Sequence, residues 1–191
     1  MKKEILFIHS AGPQGPDEGS SKLVAYLHTI LDAAYQLRCP AMPEPENPRY
    51  EAWKEAIYRE LGVPGGELIL VAHSLGASVV LKYLSEEPCK RSITGLFLIA
   101  APYWGKKGWE IDEFVLREDF VPKLPPIPKI FLYHSRDDEW VPFGHLARYA
   151  KKFPQATIRK INGSEHEFGN GLPEMVSDIT SLSGHVIMNL N

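Results

Sequence analysis

Short, unbroken apolar runs recur along the chain, each ending in a polar or glycine-rich turn and each followed by a longer stretch with helical spacing. The clear runs cover residues 5–9, 68–72, 96–100 and 130–134, with weaker ones at 36–39 and 157–161. Runs of this length, apolar at successive positions, predict strands of a parallel sheet buried on both faces. Between them, Leu23, Leu27, Ile30 and Leu31, then Trp53, Ile57 and Leu61, then Val79, Val80 and Leu84 recur near a 3.6-residue period and predict helices. Ser20 and Ser21 are candidate caps of the first helix. Pro173 and Glu174 suit the first turn of the last, which is expected to run toward Leu190 and close the fold. Alternating strands and helices with right-handed crossovers predict a three-layer, doubly wound α/β fold around a mainly parallel sheet of about six strands. In such folds ligands bind beyond the carboxyl ends of the strands, so chemistry is sought there.

Residues 101–128 break the rhythm, with Tyr103, Trp104, Trp109, Phe114 and Phe120 set among charges. We read them as a small aromatic-rich insertion in a single domain spanning 1–191. The segment ends in KLPPIPK, whose prolines enforce an extended entry into the next strand.

A chain of 191 residues with 44% hydrophobic content can bury one continuous core without staples. Its 21 Lys and Arg against 24 Asp and Glu give no electrostatic reason to expect nucleic acid or an anionic membrane as a partner. Cys39 and Cys89 stand far apart, with no CxxC or histidine-rich neighbour, so neither a zinc site nor a disulfide framework is signalled. The opening MKKEILFIHS is too short an apolar run for a signal peptide, and no stretch approaches the roughly 20 apolar residues of a membrane span. The expectation is a cytoplasmic monomer or weak homodimer acting on a small molecule.

The strongest local signal is ELILVAHSLGASVVLKYL, where a buried-strand pattern runs directly through Ala72-His73-Ser74-Leu75-Gly76 into a helical one. Small residues two positions either side of the serine suit a sharp, strained strand-to-helix turn that presents Ser74 as a nucleophile. A serine at a helix start is also a common cap, so the pentapeptide needs partners. A hydroxyl is a poor nucleophile at neutral pH and requires a base, itself held in one tautomer by a carboxylate. After the strand KIFLYHS come Asp137 and Asp138; after TIRKI comes His166. Each alone would be an ordinary loop residue, but three such residues at three strand ends satisfy all the roles at once. Asp137 competes with Asp138 for the acid, and Asp112 and Asp119 in the insertion are weaker candidates. For a developing oxyanion, the Leu75 amide is one donor and the loop FIHSAGPQG supplies another, which alignment with an H-G-x loop assigns to Ala11. His9, His73 and His134 are assigned structural roles.

The order Ser, Asp, His resembles that of α/β-hydrolases, and D-x-x-V-P, here Asp138, Val141 and Pro142, resembles the segment after their acid-bearing strand. Over nearly the whole chain the sequence resembles the small serine hydrolases of the retinoblastoma-binding-protein-9 and YdeN type. Ala41-Met42-Pro43-Glu44-Pro45, with Pro48 and Trp53, is similar to the M-P-x-P…W stretch of that family, read physically as a rigid crossover anchored by a core tryptophan. Gly19-Ser20-Ser21-Lys22-Leu23 stands where the family usually has a tryptophan. The resemblance implies a reduced α/β-hydrolase fold without a large lid and an esterase-like serine hydrolase. With Ser74, His166 and Asp138 as its triad, Trp104 and Trp140 are expected to line a small acyl pocket, together with Trp109 and Phe143. Acyl transfer on the same scaffold, or a binding module that keeps the triad unused, are the rival readings. No cofactor is called for: Gly62-Val63-Pro64-Gly65-Gly66 precedes its strand instead of following it, unlike a phosphate loop. Dienelactone hydrolases use a cysteine where this chain has Ser74.

Overall fold

The computed structural model describes residues 2–105 and 108–182. Within them strands and helices alternate in the order β1 (Lys3–Ile8), α1 (Ser21–Ile30), β2 (Tyr35–Arg38), α2 (Tyr50–Leu61), β3 (Glu67–His73), α3 (Leu75–Glu86), β4 (Ser92–Ile99), β5 (Ile130–Ser135), α4 (Gly144–Lys152), β6 (Thr157–Ile161) and α5 (Pro173–Ser181). Every strand pairing is parallel, and the sheet order is β2-β1-β3-β4-β5-β6. The two weak runs are the edge strands. They are only partly buried, so their apolar pattern is diluted.

Alternation along the strands divides the core into two layers. Leu6, Ile8, Leu70, Leu96, Leu98 and Leu132 face Trp53, Ile57, Leu61, Val80 and Tyr149 from α2, α3 and α4. Ile5, Phe7, Ile69, Val71, Phe97 and Tyr133 face Leu23 and Leu27 of α1 and Met175 and Ile179 of α5. At about 25 cal/mol per Å² of apolar surface removed from water, this two-sided burial is the dominant favourable term.

Four details differ from or extend what the hydrophobic pattern predicts. Ser20 occupies the cap position of α1, but its backbone is already helical (φ −73°, ψ −4°) and its hydroxyl makes no capping bond. A capping side chain needs an extended backbone to reach back to the helix amides; this hydroxyl turns inward instead. Helix α4 is not signalled by periodicity, because its nine residues bury only His145, Leu146 and Tyr149. The last helix is described as far as Ser181, and its expected continuation toward Leu190 lies outside the described residues. The aromatic-rich segment after β4 holds two 3-10 turns, Asp112–Phe114 and Val121–Lys123, and is tied to α3 by Lys82 Nζ, which donates to the carbonyls of Glu113 (3.0 Å) and Val115 (3.2 Å).

From β1 the chain steps to one side to make β2, then crosses to the other side of β1 to make β3. That reversal opens a crevice at the carboxyl ends of β1 and β3, the usual ligand site of an open parallel sheet.

Candidate active site

Ser74 stands between β3 and α3 with φ 52° and ψ −123°, a conformation that L-residues rarely occupy. The turn is held because the Ser74 amide donates to the Ile99 carbonyl (2.8 Å), continuing the β3–β4 ladder, while α3 begins at the next residue. Gly76 is required by close approach: a Cβ there would lie 2.3 Å from the His9 carbonyl oxygen. The absent side chain lets α3 pack directly on the end of β1 and brings Ser74 beside the loop that follows it.

The loops after β5 and β6 deliver the other two groups. His166 Nε2 lies 2.9 Å from Ser74 Oγ, and its Nδ1 lies 2.8 Å from Asp138 Oδ2 and 3.0 Å from Oδ1. A carboxylate only accepts, so Nδ1 carries the proton and Nε2 presents its lone pair to the Ser74 hydroxyl. The Asp138 side chain is 0% exposed. Burial alone would raise its carboxyl, but hydrogen bonds from His134, His166 and the Val141 amide outweigh that and hold it well below the usual carboxylate range. The Trp140 and Val141 amides donate to Oδ1 (2.9 and 2.7 Å), and His134 Nε2 approaches Oδ2 (3.2 Å). Asp137 is exposed and turned to the Ser135 hydroxyl, and Asp119 pairs with Arg117 and Lys123 at the surface.

Ala11 and Leu75 border the same cavity as Ser74. Neither backbone amide is paired with an acceptor among the described residues, whereas the neighbouring Ser10 amide is taken by Ser20 Oγ (3.0 Å). The proline stretch braces this loop. Gly12 donates to the Pro45 carbonyl (2.7 Å), Gln14 Oε1 accepts from the Met42 amide (2.9 Å), and Trp53 Nε1 donates to the Pro43 carbonyl (2.8 Å). A crossover that reads as mere scaffold in the sequence therefore supports the loop that carries Ala11.

The cavity over Ser74 has a volume of about 480 Å³. Its apolar wall comes from the aromatic-rich segment. Trp104 packs against Trp109 (ring centroids 5.0 Å apart) and Phe114 (5.2 Å), and its Nε1 donates to Ser78 Oγ (3.1 Å). Trp140 stands at the cavity with 68% of its surface exposed. Phe143 is not among the cavity-lining residues; it packs against His134. A depression of about 730 Å³ at the opposite end of the sheet, beside Lys3, Glu67 and Thr94, contains none of these groups.

Residues 26–167 match the serine hydrolase family. The chain belongs to that family. Among solved structures, this serine hydrolase is similar to the ydeN gene product from B. subtilis, at 23% identity over 95% of this chain and 99% of that one, with a TM-score of 0.77. A putative yden-like hydrolase from Pectobacterium atrosepticum shares 17% identity over 95% and 91% of the two chains, with a TM-score of 0.67. Est1E from Butyrivibrio proteoclasticus shares 16% over 93% and 85%, with a TM-score of 0.64. At these identities the likeness establishes the α/β-hydrolase-like fold. No curated protein sequence matches the chain.

Sequence reasoning did not find several supports of the serine hydrolase site. His134 reads as a strand-end residue but touches Asp138; Glu139 Oε2 accepts from the His166 amide (3.2 Å); Ser135 Oγ accepts from the Ser164 amide (3.2 Å). The last two contacts join the end of β5 and the loop after it to the loop after β6, 27 and 29 positions apart, and no local spacing encodes them. Among the described residues no helix is long and apolar enough to cross a membrane.

Proposed function

We propose that this serine hydrolase is a carboxylesterase-like enzyme that cleaves esters with small acyl groups. The observation that carries the reading is the unbroken hydrogen-bonded chain from Ser74 Oγ through His166 to Asp138, opening into an apolar cavity.

His166 Nε2 takes the Ser74 hydroxyl proton as Oγ attacks the ester carbonyl carbon. The carbonyl oxygen becomes an oxyanion and accepts from the Leu75 and Ala11 amides. Collapse breaks the bond to the leaving oxygen, which takes the proton back from His166 and departs as an alcohol. Water then loses a proton to the same nitrogen and attacks the acyl carbon. The second collapse releases a carboxylic acid and returns the proton to Ser74 Oγ. Asp138 stays ionised throughout and stabilises the imidazolium that forms twice per cycle.

The small-acyl preference rests on the size of the cavity and on its Trp104, Trp109 and Phe114 wall. A p-nitrophenyl ester series tests it. Acetate and butyrate are expected to have a higher kcat/KM than decanoate or palmitate, with Ser74→Ala lower by roughly 10^4- to 10^6-fold on every ester. Faster cleavage of the long chains would overturn the pocket assignment, and undiminished turnover by Ser74→Ala would overturn the mechanism.

A further inference from the structure

A buried polar line that the reaction does not itself consume runs beneath the site. His73 and Ser20 are both 0% exposed. Ser20 Oγ lies 2.8 Å from His73 Nδ1, and His73 Nε2 lies 2.9 Å from the main-chain carbonyl oxygen of His166. At the other end Ser20 Oγ accepts from the Ser10 amide (3.0 Å) and lies 3.1 Å from Ser10 Oγ.

Proton counting gives this line one direction. The His166 carbonyl can only accept, so His73 Nε2 carries a hydrogen. Burial pushes the His73 imidazole down to about 3, so the ring is neutral and Nδ1 accepts. The single Ser20 hydroxyl proton is then committed to Nδ1, and Ser20 Oγ accepts both the amide and the hydroxyl of Ser10. Each member is satisfied in one arrangement only, and a fully satisfied buried network holds its elements in one relative position.

That arrangement spans three loops. Ser10 precedes Ala11, His73 precedes Ser74, and the far acceptor belongs to His166 itself. The His166 loop has need of an external hold, since Gly163 and Glu165 before it and Phe168 after it all have positive φ. The His73 ring further lies 5.0 Å from the His166 ring and 6.1 Å, edge-on, from Phe168.

We propose that His73 and Ser20 are positioning residues: a one-directional hydrogen-bond relay that sets the base His166 and the Ala11 amide in register with Ser74. The inference rests on the serine-hydrolase mechanism above. It differs from simple packing in what it demands of the polar atoms.

Ser20→Ala and His73→Phe keep most of the volume and remove the relay. Each is expected to lower kcat by roughly 10- to 100-fold, the scale of a small misplacement at a reacting centre, with KM within about threefold of wild type. Ser20→Thr, which keeps the hydroxyl, is expected to recover most of the loss. An imidazole 15N–1H spectrum of the wild-type protein is expected to show His73 neutral with its hydrogen on Nε2. That measurement needs no variant to fold. Wild-type turnover together with folded Ser20→Ala and His73→Phe proteins within about twofold of it would overturn the relay and leave the mechanism standing; so would a hydrogen on His73 Nδ1. A wild-type protein that neither turns over esters nor labels at Ser74 with a fluorophosphonate would overturn the mechanism, and the relay with it.

Discussion

The Asp138 carboxylate accepts from two imidazoles and two backbone amides with its side chain wholly out of solvent. Replacing one oxygen with an amide group leaves the shape but points a donor at groups that are themselves donors. Asp138→Asn is therefore expected to lower kcat by roughly 10^3- to 10^4-fold, the scale set by tautomer loss in a serine protease triad, while Asp137→Asn stays within about threefold of wild type. Steady-state kinetics of the two variants checks this, and comparable losses in both would contradict it. The sequence makes Ser74 and His166 legible because the chemistry needs those residue types after particular strands. It leaves Asp137 and Asp138 open, since both sit in one turn after β5 and a single-residue step decides which carboxylate faces inward. Ser20 is legible only as a cap; its true partner, His73, is 53 positions away.

Among the elements, the sharp turn from β3 into α3 and the crossover before α2 do the most to build the site. The first depends on Gly76, whose missing Cβ lets α3 rest on the His9 and Ile8 carbonyls at the end of β1. The second depends on the 41–48 stretch, which turns rather than running extended, with Glu44 at φ 42° and the Asn47 amide donating to the Glu44 carbonyl (3.0 Å), and whose Pro45 and Pro43 carbonyls accept from Gly12 and Trp53. Hydrophobic runs reveal all six strands because all five strand pairings are parallel and helices cover both faces, so burial overrides the alternation a half-exposed strand would show. The same signal misses α4, which buries only His145, Leu146 and Tyr149 of its nine residues. Strand order is not encoded in any one run. It comes from the crossovers, and it is what sets the Ala11 loop next to Ser74.

Over the whole molecule, several buried histidines are held neutral. Burial pushes His73 down to about 3 and His145 to about 4, the latter with help from Arg148, and lowers His9 as well. An unfolded chain binds protons at these positions from about pH 6.5 downward, while the folded chain resists until well below that. The stability they support is complete above about pH 6.5 and is lost as pH falls toward the folded values. Asp138, held low in the fold, adds to the loss only below the ordinary carboxylate range. Glu167 acts in the opposite sense: burial raises its carboxyl, so the folded form gains from protonation as pH drops. Three histidines against one carboxyl predict a melting temperature that falls between about pH 6.5 and about pH 5, before most carboxylates titrate. Thermal unfolding followed by circular dichroism at stepped pH checks it, and a flat profile over that window would contradict the buried-neutral assignment.

The central claim is that the fold activates one hydroxyl, Ser74, through His166. Fluorophosphonate labelling of the folded protein, with mass mapping of the modified residue, tests it most directly. Stoichiometric modification at Ser74 is expected, abolished in Ser74→Ala and strongly slowed in His166→Ala. Folded wild-type protein that stays unlabelled, or label found on a residue other than Ser74, would contradict it.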